Sequence, residues 1–331
     1  MYAKPLESLL TFMFEQNLPV LIKGAPGIGK SDIVAQSADK LGWELIISHP
    51  VVADPTDYKG LPFAVDGHAK FLPFGDLEKL LSATKPVIYF LDDLGQATPA
   101  VQSAVMQLLL ARQINGHKIS PEVRFVAATN RRADKANVSG ILEPVKSRFA
   151  SIVELEVNTK DWVEWGWKNN MPFELISFIE FKPEMLSNFV ATRDIENSPC
   201  PRTVAFVGKM VNAGLPQTLQ FEAIKGAAGE AFAHEYLAFV RCYMNLPTVS
   251  EIIKDPNGAR LPNDVSARFA ICGALTDALE QTNISPIIIY LKRLGNELTV
   301  AALKNASLRK PAVTSTKEFI QWAMANSDLI I

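Results

Sequence analysis

Cysteine is scarce. The chain of 331 residues has three, Cys200, Cys242 and Cys272, scattered without the spacing of metal ligands. They read as buried thiols of a reducing compartment. The four histidines, His49, His68, His117 and His234, share no ligand spacing either. No apolar run approaches the roughly 20 residues of a membrane span. The segment Met1 to Glu7 lacks a secretory-leader pattern, so a cytoplasmic protein is expected. An excess of one charge is also missing. The formal net charge is −2, from 33 Lys and Arg against 35 Asp and Glu. That balance calls for neither nucleic acid nor an anionic membrane. There is no internal repeat and no low-complexity tract. What remains is a globular composition, 48% hydrophobic and 21% charged, long enough for two domains.

The most informative stretch is Gly24-Ala25-Pro26-Gly27-Ile28-Gly29-Lys30-Ser31, followed by Asp32. It fits G-x-x-x-x-G-K-[ST], the phosphate-binding P-loop, at every fixed position. Its surroundings fit too. Leu18 to Ile22 reads as a short buried strand, and Ser31 onward as a helix start. Such a loop aims backbone N–H groups and the positive end of a helix dipole at one anion. Glycines let the backbone close round that anion without side-chain clashes. Lys30 would reach the outer phosphates and the Ser31 hydroxyl would ligate Mg²⁺.

The first half alternates strand-like and helix-like segments. Pro19–Lys23, Glu44–Ser48, Val87–Leu91, Arg124–Ala128 and Ser151–Leu155 are short, apolar and rich in β-branched or aromatic residues. Ser31–Leu41, Gly75–Ala83 and Pro99–Ala111 carry helical periodicity. An α/β fold is expected, a parallel sheet with helices on both faces. Two insertions, Phe63–Phe71 around Asp66-Gly67 and Arg112–Ile119 around Asn115-Gly116, read as β-hairpins. His68 and His117 fall at their tips. From Trp162 onward the strands stop and helices follow: 162–170, 173–181, 202–213, 218–244, 264–281, 285–294, 296–306 and 315–326. The expected division is an ATPase domain at 1–157, a helical lid at 158–245 and a helical extension at 246–331.

A P-loop needs a metal-side carboxylate and a means of orienting water. Val87-Ile88-Tyr89-Phe90-Leu91-Asp92-Asp93 supplies a buried strand ending in two acids, the Walker B arrangement. That strand is expected beside the P-loop strand. Asp92 is assigned to the metal and Asp93 to the attacking water. Phe125 to Asn130 is a further apolar strand with a polar tip, where Asn130 could bond the water or the γ-phosphate. Arg148, in Lys146-Ser147-Arg148-Phe149, stands at a domain edge, where it could reach a neighbouring subunit's γ-phosphate or form a surface salt bridge. The apolar stripe Phe221, Ile224, Phe232, Tyr236, Phe239 and Val240 reads as core or subunit contact, and the cluster Trp162, Trp165 and Trp167 as core in preference to a stacking surface for bases.

In this order, Gly24–Ser31, Asp92-Asp93, Asn130, Ser147-Arg148-Phe149 and Pro201-Arg202 resemble an AAA+ ATPase. The two hairpins and the segment Asp54–Pro62 resemble its MoxR-like branch, as the helix-2 insert and the pre-sensor-1 hairpin. The resemblance covers residues 1–215 and implies a P-loop core with an all-α lid. It makes Asn130 sensor 1, Arg148 an arginine finger acting in trans and Arg202 sensor 2, with Arg131 or Arg132 as alternatives for the finger. It implies ATP and Mg²⁺ as ligands and a ring of copies, a hexamer. The implied partners are a von Willebrand factor A-domain protein and a client to be remodelled. One departure stands out: the family usually has Asp-Glu where this chain has Asp92-Asp93, one methylene shorter. Two alternatives therefore stand beside the remodelling ATPase: an ATP-gated assembly switch with little turnover, and a DNA-associated ATPase. The lack of a recognisable DNA module weighs against the latter.

Overall fold

The computed structural model describes residues 1–134, 140–189, 194–243 and 246–326. The chain divides into two units, Met1–Val157 and Asn158–Ile331. In the first, strands β1 (Val20–Lys23), β2 (Glu44–Ser48), β5 (Val87–Leu91), β8 (Val123–Thr129) and β9 (Ser151–Glu154) form one parallel sheet. Around it lie helices α1 (Ala3–Glu15), α2 (Lys30–Leu41), α3 (Pro55–Lys59), α4 (Gly75–Ser82), α5 (Pro99–Ala111) and α6 (Glu143–Lys146).

Strand side chains alternate between faces. Val20, Ile22, Ile88, Phe90, Val126 and Ala128 pack with the apolar stripe of α1 (Leu6, Leu10, Met13, Phe14) and with Ile33, Val34 and Ala38 of α2. Leu21, Val87, Tyr89, Leu91, Val123, Phe125 and Ala127 pack on the other face, with Leu77 and Leu80 of α4 and Val101, Val105 and Leu108 of α5. Strands covered on both sides are continuous apolar runs, and β5 is buried along its whole length. This is the α/β architecture the sequence implies.

The order across the sheet is β2-β5-β8-β1-β9. The acidic strand β5 is therefore not beside the P-loop strand β1, as the sequence analysis expects. The Asn130 strand β8 lies between them, in register with both. Chain order does not fix sheet order. The long strand β8, seven residues and nearly all buried, takes the centre, where both its faces and both its edges are covered.

The insertions fold as hairpins: β3 (Leu61–Val65) with β4 (His68–Leu72), and β6 (Gln113–Ile114) with β7 (His117–Lys118). Both turn residues have positive φ in each, Asp66 and Gly67, Asn115 and Gly116, as a two-residue turn with the strands' twist requires. The turn of the second hairpin lies against the base of the first: Asn115 Nδ2 donates to Lys59 O, just before β3, at 2.8 Å, and His117 Nε2 lies 3.2 Å from Phe71 O near the end of β4. His68 is exposed, whereas His117 is half-buried against the first hairpin.

The second unit is helical: α7 (Thr159–Lys168), α8 (Phe173–Phe181), α9 (Pro201–Asn212), α10 (Gln217–Ala228), α11 (Glu230–Tyr243), α12 (Val249–Lys254), α13 (Val265–Ala278), α14 (Ile284–Leu294), α15 (Asn296–Arg309) and α16 (Lys317–Ala325). The sequence suggests one helix over 218–244, the end of which lies outside the described residues. The structure breaks that span at Gly229, whose φ of 89° leaves the helical region. Helix α12 was not expected, although Thr248 and Glu251 form a capping box at its start. Phe178 of α8 packs its ring against Phe232, Tyr236 and Phe239 of α11. Helices α8 and α13 approach closely at Gly273, where a Cβ would lie 3.0 Å from Ser177 Cβ. A second apolar cluster joins α12 to α16 through residues such as Ile271, Leu291, Leu303 and Trp322. No described helix is long and apolar enough to cross a membrane.

Candidate nucleotide-binding site

The loop Gly24–Gly29 joins the end of β1 to the start of α2. Gly29 caps the helix in the left-handed region (φ 92°), and Gly27 has φ 72°. At Gly24 a Cβ would lie 2.9 Å from Leu155 O. A side chain at these positions would strain the turn or collide with β9's exit, so the cradle depends on glycine. Asp32 stands in the first turn of α2.

Lys30 is buried, 7% exposed. Its ammonium donates to Gly24 O at 3.1 Å, Ala25 O at 2.9 Å and Asn130 Oδ1 at 2.7 Å. Ser31 Oγ donates to Asp92 Oδ2 at 2.8 Å. The other oxygen of that carboxylate, Oδ1, accepts from the Asp93 N–H at 3.0 Å. Asn130 Nδ2 donates to Asp93 Oδ1 at 3.2 Å. The parallel register of β1, β8 and β5 brings their C-terminal tips level, and the crossover through α2 places Lys30 and Ser31 above them. The structure thus brings Lys30, Ser31, Asp92, Asp93 and Asn130 into one hydrogen-bonded group.

Residues 19–149 match the family model of the AAA domain, dynein-related subfamily. The first unit carries an AAA domain. Among solved structures, the chain is similar to the RuvB Holliday junction branch migration motor of Thermotoga maritima. The two are 18% identical over 88% of this chain and 86% of that one, with a TM-score of 0.40. It is also similar to NtrX from Brucella abortus in complex with ADP, 12% identical over 98% of this chain and 67% of that one, with a TM-score of 0.43. Likenesses at these levels carry no functional weight. No curated protein matches the chain.

Within the AAA domain, the oxygen pair Ser31 Oγ and Asp92 Oδ2 has the chemistry of a Mg²⁺ site. That ion takes hard oxygen donors and few protein carboxylates, filling its other positions with phosphate and water. Fewer protein ligands suffice than the three-residue clusters of His, Cys, Asp or Glu that tighter metals need, and none of those occurs among the described residues.

The remaining candidate residues make contacts of their own. Arg148, half-buried, donates from Nη1 to Ser147 Oγ at 2.8 Å, and its buried Nε has no partner among the described residues. Arg202 is exposed on the first turn of α9, in the second unit. Arg131 is engaged within the chain. Its guanidinium bonds both oxygens of Asp134, at 2.8 and 3.0 Å, and Glu154 at 3.4 Å. The bond from Asp134 raises its pKa above the usual arginine value. Glu154 also pairs with Lys23 at 2.8 Å, and the Lys23 bond holds its carboxyl below the ordinary range. The side chain of Arg132 lies outside the described residues.

Two features escaped the sequence reading. One is this Lys23–Glu154–Arg131–Asp134 chain, which ties together the tips of β1, β9 and β8. Lys23, the Arg131–Asp134 pair and Glu154 are far apart in sequence and carry no motif. The other is Gln102 on α5, 1% exposed. Its amide nitrogen donates to Ala97 O and Gly140 O, and its oxygen accepts from Leu142 N at 2.9 Å. It fixes the backbone just before α6 and Arg148. A glutamine inside an apolar helical stripe is the one signal that could have revealed it.

Proposed function

We propose that the chain is an ATP-hydrolysing AAA+ protein of the MoxR-like kind, working as a ring, a hexamer in the leading reading. The observation that carries this is the convergence of Lys30, Ser31, Asp92, Asp93 and Asn130 at the tips of three adjacent strands. The glycine cradle and Lys30 would hold the phosphates of ATP. Ser31 and Asp92 would hold Mg²⁺, which supplies charge neutralisation between the phosphate oxygens. Asp93 and Asn130 would orient a water molecule in line with the γ-phosphorus. Water oxygen forms the new bond, the bond from phosphorus to the bridging oxygen breaks, and ADP leaves with phosphate.

Arg148 would come from the neighbouring copy and stabilise charge on the transferring group. Two observations support it over Arg131. Among the described residues Arg148 makes a single side-chain hydrogen bond, to its chain neighbour, while Arg131 is held by two acids. Arg202 would sense the γ-phosphate from the helical unit. In that unit α13 packs on α8, and α15 on α7. The expected lid and extension would therefore move as one body during turnover. The hairpins would carry that motion to a protein client, with a von Willebrand factor A-domain partner as the implied helper.

The test is complementation between defective copies. Lys30→Ala and Arg148→Ala should each lose about 100-fold or more in phosphate release at saturating ATP. An equal mixture should recover a substantial share, because some interfaces then pair an intact P-loop with an intact arginine. Full activity of Arg148→Ala alone would end the shared-site reading.

The nucleotide-gated switch with little turnover is kept as a second reading. Its specific support is the short acid Asp93, whose carboxylate is already engaged by Asn130.

A further inference from the structure

Helix α6 is a single turn, Glu143–Lys146. One turn has too few internal bonds to hold its own shape in water, so its place comes from what it packs on. Leu142 is its N-cap. Leu142 O accepts from Val145 N at 2.9 Å and from Lys146 N at 3.1 Å, and Val145 O accepts from Arg148 N at 3.1 Å. A short backbone ladder therefore runs from Leu142 to Arg148. Val145 and Phe149 are buried in the same apolar cluster as Val101 and Val105 of α5. Apolar burial holds α6 down but is non-directional, so it sets the register along α5 only loosely.

One amide supplies the direction. Gln102 Nε2 donates to Gly140 O at 2.9 Å and to Ala97 O at 3.1 Å, and Gln102 Oε1 accepts from Leu142 N at 2.9 Å. Both ends of the planar group are thereby engaged. An apolar side chain on this face of α5 would avoid the cost of burying an amide, but would give up the bonds to Gly140 O and Leu142 N. The Ala97 end has other support: Ala97 N donates to Leu94 O at 3.2 Å, and its side chain is 0% exposed. The work of Gln102 therefore falls on the side that leads to Arg148.

We propose that Gln102 is a positioning residue for Arg148, and that it serves the nucleotide site of the neighbouring copy rather than the site of its own chain. This rests on the shared-site reading above and adds a second residue to the arginine's side of that interface. Gln102 fixes where α6 starts, and so where the ladder ends and the guanidinium is presented. A misplacement of about 1 Å at such a group costs on the order of 100-fold in rate.

Gln102→Met keeps the length and bulk of the side chain and removes its three bonds. Phosphate release at saturating ATP should fall at least about tenfold, while Mg·ADP affinity by titration calorimetry stays within about threefold of wild type. Equal mixtures then tell which side of the interface is damaged. Mixed with Lys30→Ala, Gln102→Met should recover several-fold, because its sound P-loop then meets a well-placed arginine. Mixed with Arg148→Ala it should recover nothing, because neither copy supplies one. Gln102→Asn keeps the amide but draws it back by one methylene. It should give the same pattern in weaker form, and it carries the test should Gln102→Met not fold. Recovery with Arg148→Ala would put the defect on the P-loop side and overturn the proposal. Recovery with neither partner, a loss of ADP affinity beyond about tenfold, or full activity of Gln102→Met alone would overturn it as well. If Lys30→Ala and Arg148→Ala fail to restore each other, the shared-site reading falls and takes Gln102 with it. If they restore each other while Lys30→Ala leaves Gln102→Met inactive, the role of Gln102 falls alone.

Discussion

Asp93 occupies left-handed backbone, with φ 56° and ψ 33°. Among residues with a Cβ, Asp and Asn enter this region most readily, because a short polar side chain can bond locally. Glu has no such advantage. The backbone at this position therefore selects the shorter acid, although the resembled family more often has Glu there. Asp93 also receives Asn130 Nδ2 at 3.2 Å, a distance set for a side chain of this length. Asp93→Glu should cost about 1 kcal/mol in backbone strain and push the carboxylate past Asn130. Steady-state phosphate release should fall at least tenfold, with ADP affinity within about threefold of wild type. A gain in turnover would instead favour the low-turnover switch.

At the scale of elements, most of the first unit was legible. The five strands are apolar runs ending at turn residues, and the two hairpins announce themselves by Asp66-Gly67 and Asn115-Gly116. Lys30 and Ser31 follow from a motif with fixed spacing, and Asp92 from the acidic end of an apolar strand. Sheet order was not legible, because each strand's composition reports its burial and not its neighbour. Helix α1 was overlooked although Leu6, Leu10 and Phe14 have helical spacing. The break at Gly229 was hidden by an apolar stripe that continues across it. Burial on α8 was equally hidden.

Glu180, near the end of α8, accepts from Asn305 Nδ2 of α15 at 3.0 Å, and no salt bridge reaches it among the described residues. Its carboxyl is deep, although the residue as a whole is only half-buried, and burial pushes its pKa up to about 7. The unfolded chain then holds fewer protons at this site between about pH 4.5 and 7, so stability falls as pH rises through that window. Glu180→Gln keeps the acceptor and removes the charge. Its unfolding free energy should exceed wild type at pH 8 by the order of 2 kcal/mol and match it near pH 4.5, as chemical unfolding at the two pH values would show.

At the scale of the whole molecule, each unit has apolar clusters built from its own residues: strands with α1, α2, α4 and α5 in the first, α12 to α16 in the second. The proposed ligand-binding residues that touch one another all belong to the first. A ligand stabilises only what it binds, by about 2.7 kcal/mol at a hundred times its Kd. Calorimetry should therefore resolve two transitions, and Mg·ADP should raise one of them by about 5–10 °C while leaving the other in place. A single transition, or two that rise together, would contradict this.

Helix α5 spans 13 residues, about 20 Å of stiff rod. One end follows the Asp92-Asp93 turn. Gln102, near that end, grips the strand of chain that leads to Arg148. The far end passes through Arg112, itself pinned to Ser120 O and Val123 O, straight into the β6–β7 hairpin. Traction on that hairpin has no slack loop in which to dissipate. It would arrive at the acidic turn and at the approach to Arg148 in the same instant, so that in the proposed ring the load on the hairpin and the readiness of two neighbouring sites would become a single mechanical variable.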